Sequence, residues 1–208
     1  MKVIVRGSGV HARALGTSTA ALALICAAAA LGCAKTAPPA VSDEVVVAKA
    51  KAALGPLKGA LREELGRALK TSPEAAIDVC AKRAPELSGA ASRDGVVVGR
   101  SALKLRSPAN AARPWLVPVM DRLSKKAGGS DAHEVVALPD GRRGYAEAIW
   151  TAPPCTTCHG ESVAPSVEAK LRERYPDDAA RGFRAGDFRG VFWAELDPAA
   201  LQRGGGAP

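Results

Sequence analysis

Two cysteines three residues apart, with a histidine directly after the second, are the part of this 208-residue chain best suited to chemistry. The segment Pro153-Pro154-Cys155-Thr156-Thr157-Cys158-His159-Gly160 contains Cys-x-x-Cys-His, the attachment pattern for c-type haem. With five Cys and three His in the chain, chance would produce that pattern only about 0.002 times. The spacing is a chemical requirement. Two thiols about one helical turn apart add across the two vinyl groups on one side of the porphyrin, and the adjacent imidazole falls under the iron, so His159 becomes the proximal ligand of one covalent haem c. A zinc site needs about four ligands and would have to borrow Cys80 or His133 to close. A thioredoxin-type pair follows a strand in a βαβ setting, which the two prolines before the motif and the pattern after it do not provide.

The sixth position of the iron has three candidate side chains, Cys80, Met120 and His133, and an open or water-bound site is the fourth reading. Met120 shares an apolar helix face with Leu116 and Leu123, which reads as core. His133 follows Gly128-Gly129-Ser130-Asp131 at a strand start, where a histidine is usually exposed. Cys80 reads on its own as a small buried hydrophobe. No Ser-His-Asp, paired-carboxylate or phosphate-loop pattern stands out, and only His133 is left for acid–base work. No enzyme is expected, since peroxidase-like chemistry would need an open distal site and acid–base residues beside it.

Attachment of this kind takes place outside the bacterial cytoplasm, and the N-terminus agrees. Residues 1 to 19 carry Lys2, Arg6 and Arg13 and no acid, and Ala20 to Leu31 is an unbroken apolar run ending at Gly32-Cys33. As a helix that run spans roughly 18 Å, short of the ~30 Å hydrocarbon core, so residues 1–32 read as a signal peptide and not as a membrane span. Gly32-Cys33 resembles a lipobox, in which Cys33 is acylated and becomes the mature N-terminus on the periplasmic side of a membrane. Ordinary cleavage nearby would instead leave a soluble periplasmic protein. Residues 33–42, with Pro38-Pro39, suit a tether, residues 43–200 a single domain, and residues 201–208 a flexible tail.

Composition narrows the partners. The chain is 47% hydrophobic and 24% charged, which excludes a disordered or collagen-like protein. Its net charge is +8, and loss of Lys2, Arg6 and Arg13 leaves 26 basic residues against 21 acidic ones, a net +5. Lys and Arg are dispersed among Asp and Glu without a basic stripe, so nucleic acid is not an expected partner. The redox partner is unknown, and CO or NO are the candidate small ligands.

The elements that must position these residues are legible from periodicity. Val46, Ala50, Ala53, Leu57, Leu61, Leu65 and Leu69 mark a long amphipathic helix from Ser42 to Lys70, interrupted near Gly55-Pro56. Ser72-Pro73-Glu74 opens a second helix whose inner face carries Ala76, Ile77, Cys80 and Ala81, which points Cys80 inward. Strands are expected from Val96 toward Leu103, at His133–Leu138, Gly144–Ala152 and Gly190–Leu196, and further helices at Trp115–Lys126 and Ser162–Tyr175. Helices first and strands separated by short turns give an α+β fold with an antiparallel sheet.

The order Ala76-Ile77-Asp78-Val79-Cys80, Val98-Gly99-Arg100-Ser101, Leu103 to Asn110, Cys155 to Gly160, Tyr175 to Phe183 and Gly186-Asp187-Phe188-Arg189-Gly190 resembles the Tll-like family of c-type haem domains. The resemblance covers roughly Ala75 to Leu196. It implies a PAS-like antiparallel sheet with flanking helices that cradles one haem, preceded here by the long N-terminal helix. It also implies Cys80 as the distal thiolate opposite His159, and Arg100, Arg106 and Arg189 as partners of the haem propionates. The family occurs alone in the periplasm and as the sensory part of receptors. Two roles are therefore expected: a periplasm-facing monohaem cytochrome c in electron transfer, or a haem-based redox or gas sensor with a labile Cys80 ligand.

Overall fold

The structure, a computed structural model, describes residues 41–129 and 131–203. The expected signal peptide, Cys33, all but the last two residues of the expected tether, and residues 204–208 lie outside them. Among the described residues no helix is long and apolar enough to cross a membrane.

Helix α1 (Asp43–Thr71) is continuous through Pro56, where an interruption was expected. Pro56 removes the amide that would bond the Ala52 carbonyl, but both residues are exposed, so water takes the missing place. The inner face of α1 supplies what propensity does not, burying Val46, Ala50, Leu54 and Leu57. Helix α2 (Pro73–Ala91) begins as its sequence dictates: the Ser72 hydroxyl accepts from the Ala75 amide at 3.1 Å, with Pro73 in the first turn.

Strands β1 (Val96–Ser101), β2 (His133–Ala137), β3 (Arg143–Trp150) and β4 (Phe188–Leu196) form one antiparallel sheet in the order β1-β4-β3-β2. The turn joining β2 to β3 places Asp140 and Gly141 at φ 60° and 71°, the left-handed region that Asp and Gly tolerate best. Alternation along β3 and β4 sends residues to both faces. Tyr145, Ala194 and Leu196 pack under α1, while Ala146, Val191 and Trp193 pack under α3 (Leu116–Ser124). This is the expected α+β architecture.

The rest of the chain serves the cysteine–histidine turn. Cys155 ends a 3₁₀ turn begun at Pro153, and α4 (Thr156–His159) follows directly. Helix α5 (Pro165–Arg174) packs Val167 and Leu171 against Ile77 of α2, with Cys158 and Tyr175 on the margin. A short α6 (Pro198–Gln202), capped by Asp197 and burying Leu201, was not foreseen. Residues 201–203, expected as the start of a flexible tail, instead close this helix: Leu201 belongs to the core because three apolar residues follow a capping Asp and Pro.

Candidate functional site

Helices α1 and α2, strand β1 and the Cys155–His159 turn enclose a cavity of about 430 Å³. Its walls are apolar where the helices supply them: Leu61, Leu65 and Leu69 of α1, and Ala76, Ile77 and Ala81 of α2. Cys155, Cys158 and His159 line it together, and Cys80 stands on the α2 wall. All three thiols are free. Cys80 is exposed, not buried as expected, because this face of α2 borders the cavity instead of a packed core.

The turn has a backbone reason for its glycine. A Cβ at Gly160 would stand 2.5 Å from the Thr156 carbonyl oxygen, so only glycine lets the one-turn helix close on itself with the Gly160 amide bonding that oxygen at 2.9 Å. The following segment then pairs with the turn: the Phe183 amide donates to the His159 carbonyl and the Gly182 amide to the Gly160 carbonyl, both at 3.0 Å.

The imidazole is held in one orientation. His159 Nδ1 lies 2.7 Å from the Ala180 carbonyl oxygen, which can only accept, so Nδ1 carries the hydrogen. Nε2 is left with its lone pair, and the Arg189 guanidinium donates to it at 2.7 Å. Burial, and then the charges of Arg189 and Arg106, push the His159 pKa down to about 3, so the ring is neutral at ordinary pH. A neutral imidazole with a fixed Nδ1–H and a presented Nε2 is the form in which histidine binds a metal.

The three arginines reach the same cavity but differ in what they do there. Arg106 is committed within the chain: its guanidinium pairs with Asp178 at 3.1 Å and donates to the carbonyls of Cys158 and Ala180. The Arg100 guanidinium has no ion-pair or hydrogen-bond partner among the described residues. Arg189 keeps a buried Nε with no partner, and burial together with the Arg100 charge lowers its pKa to about 10. An orphaned buried guanidinium nitrogen beside a second unpaired guanidinium is a receptor for carboxylates. Free thiols, an imidazole Nε2 that meets only arginine donors, apolar walls and the unpaired Arg100 fit a haem with two propionates, which would draw Arg189 away from His159.

The other candidates lie elsewhere. Met120 is fully buried in the α3 core with Leu116 and Leu123, as its periodicity implied. His133 is exposed at the start of β2, its ring 5.6 Å from that of Tyr145. Among the described residues no three His, Cys, Asp or Glu side chains gather as a metal cluster would require. Further cavity residues had been given no site role, among them Tyr175, Asn110, Trp193 and Arg113, whose guanidinium stacks 4.2 Å over the Trp193 ring. Asp178 had no role at all, although the segment Tyr175 to Phe183 was a visible signal.

No curated protein matches the chain. The crystal structure of the cyanobacterial heme-protein Tll0287 aligns with 78% of this chain and 98% of its own, at 26% identity and a TM-score of 0.54. Residues 38–196, which contain the whole cavity, match the Tll0287-like family. The chain belongs to the Tll0287-like family.

Proposed function

We propose that this chain is a monohaem c-type cytochrome on the periplasmic side of a bacterial membrane, anchored through an acylated Cys33 and acting in electron transfer. The observation that carries the reading is the convergence on one cavity of Cys155, Cys158 and a His159 whose Nδ1–H is spent on Ala180 and whose Nε2 faces inward. The likeness to a solved heme-protein supports it.

Haem bound here supplies a one-electron ferric/ferrous couple. Cys155 and Cys158 would hold it through thioether bonds, and His159 Nε2 would bind its iron once Arg189 turns from that nitrogen. Arg100 and Arg189 would then pair the propionates, while Arg106, tied to Asp178, braces the turn. Leu61, Leu65 and Leu69 would lie against the apolar part of the ring. Cys80 is the candidate for the distal donor, being the one of the three side chains considered that lines this cavity. A thiolate donates charge to iron and favours the ferric state, so a His159/Cys80 pair gives a low potential.

One observation favours a second reading. Cys80 stands on the cavity wall and belongs to none of the packed core clusters, which suits a ligand that CO, NO or a redox change displaces, and hence a sensor. Expression with a haem-attachment system, followed by ferric, ferrous and ferrous-plus-CO spectra of the wild type and Cys80→Ala, separates the two. A six-coordinate ferrous spectrum unmoved by CO supports electron transfer, and rapid conversion to a CO adduct supports sensing. A ferric spectrum unchanged by Cys80→Ala removes Cys80 from the iron, and absence of covalent haem ends both readings.

A further inference from the structure

We infer that Asp178 is the positioning residue of this site: it holds the carbonyl that accepts from His159 Nδ1–H, and through Arg106 it governs the charge beside Nε2. The redox half of the inference rests on the haem reading above, whereas the structural half concerns the chain alone.

Asp178 lies 19 residues beyond His159 in sequence and its side chain is 1% exposed. Its Oδ1 accepts from the Ala180 amide at 3.0 Å and from Arg106 Nε at 3.2 Å. Its Oδ2 accepts from Arg106 Nη2 and Arg181 Nε, each at 3.1 Å. Ala180 is therefore held at its amide by Asp178, and the Arg181 amide folds back on the Ala179 carbonyl at 2.9 Å. Between those two ties the Ala180 carbonyl has one direction left, toward His159 Nδ1. An acceptor in that place dictates a Nδ1–H tautomer, and a firmly held acceptor also raises the donor strength of the other nitrogen.

The second arm runs through Arg106. Its Nη1 stands 3.4 Å from His159 Nε2, closer than a remote charge and longer than the Arg189 bond. The Asp178 carboxylate neutralises that guanidinium and fixes its Nη2, which also faces the carbonyls of Cys158 and Ala180. Without the carboxylate, a full positive charge would stand beside the imidazole, favouring the reduced form of any metal bound there. One buried side chain thus holds the acceptor of His159 Nδ1–H and tempers the charge beside Nε2, to which Arg189 donates.

Haem-free protein with ¹⁵N-labelled histidine, read by long-range proton–nitrogen correlation at neutral pH, tests the first arm in wild type, Asp178→Asn and Asp178→Ala, each checked for folding by circular dichroism. The wild type is expected to give a single Nδ1–H tautomer for His159. Asp178→Ala is expected to keep Nδ1–H, which Arg189 also favours, but to shift the Nδ1 signal as the Ala180 carbonyl loosens, and Asp178→Asn, which keeps an oxygen for the Ala180 amide, to restore the wild-type signal. In the haem-loaded proteins Asp178→Asn is expected to raise the reduction potential, because the Arg106 charge is no longer neutralised. A Nε2–H tautomer in the wild type, or an Asp178→Ala spectrum identical to it, overturns the inference even if haem attaches normally. Should Asp178→Ala not fold, an Asp178→Asn protein with an unchanged potential overturns it as well. Failure of the wild type to take covalent haem would defeat the functional reading while leaving the tautomer result to stand on its own.

Discussion

At the scale of single residues, Asp178 also makes a pH-dependent contribution to stability. Burial works against its ionisation, but the hydrogen bond and charge of Arg106 outweigh burial and hold its pKa below the usual carboxylate value. A carboxylate depressed in the folded state stabilises it above the unfolded pKa of ~3.9, and that contribution is lost as pH falls through the folded value. Removing one partner of a buried pair costs about 3 kcal/mol. Asp178→Asn is therefore expected to lose about that much stability at pH ~7, and the gap to the wild type should close as pH drops below ~4. Urea unfolding of both haem-free proteins across this range checks it, and a gap independent of pH would contradict the account. The same residue shows what a sequence withholds. That Cys155, Cys158 and His159 stand together on one cavity was legible because they occupy one short motif. The division of labour among Arg100, Arg106 and Arg189 was not, because the partner that removes Arg106 from ligand binding lies 72 residues away. Cys80 was placed on the correct face of its helix, but periodicity does not distinguish a face turned to a core from one turned to a cavity.

At the scale of elements, glycines of opposite meaning occur in α1 and β1. A Cβ added at Gly66 of α1 meets nothing within 4 Å, so glycine there only costs helix stability, by about 0.5–1 kcal/mol relative to alanine. Gly99 of β1 sits directly across from Trp193 of β4, and a Cβ there would lie 2.5 Å from the indole ring. That ring packs under α3, lines the cavity, and donates to the Ser101 hydroxyl at 3.0 Å. Gly66→Ala is expected to raise the melting temperature by about 2 °C, and Gly99→Ala to lower stability by about 1–3 kcal/mol, since the indole must be displaced from a packed site. Thermal melts of the two variants decide the matter, and equal signs would contradict it. Turns and caps at this scale were readable: Ser72-Pro73 and Pro139-Asp140-Gly141 carry their conformations in their own residues. The unbroken course of α1 through Pro56 was not, because it depends on a tertiary face that buries Val46, Ala50, Leu54 and Leu57, and α6 was missed because five residues are too few to show a period.

At the scale of the whole molecule, the last strand lies inside the sheet. Strand β4 pairs with both β1 and β3, so the segment after the attachment turn joins the strand that precedes the turn to the one that opens the sheet. Cys80 and His159, far apart in the chain, meet on one cavity only in that arrangement. The proposed anchor asks little of this domain. Ten residues, 33–42, reach at most ~35 Å when fully extended, which keeps the domain beside the bilayer without embedding it. With residues 1–32 removed, the chain's net charge of +8 would fall to a dispersed +5 and give weak and salt-sensitive attraction to a membrane, whereas acyl chains bind through buried CH₂ groups and are indifferent to salt. Wild-type protein expressed in a Gram-negative host is therefore expected to sediment with membranes, to stay there in high salt, to be released by detergent and to incorporate labelled palmitate. A variant in which a cleavable, non-lipoprotein signal replaces residues 1–33 should appear in the soluble periplasmic fraction with the same haem spectrum, because Cys33 lies outside the cavity-forming helices. Wild-type protein that is soluble and unlabelled would mean ordinary cleavage, and a wild type released by salt alone would mean that charge and not acylation holds it.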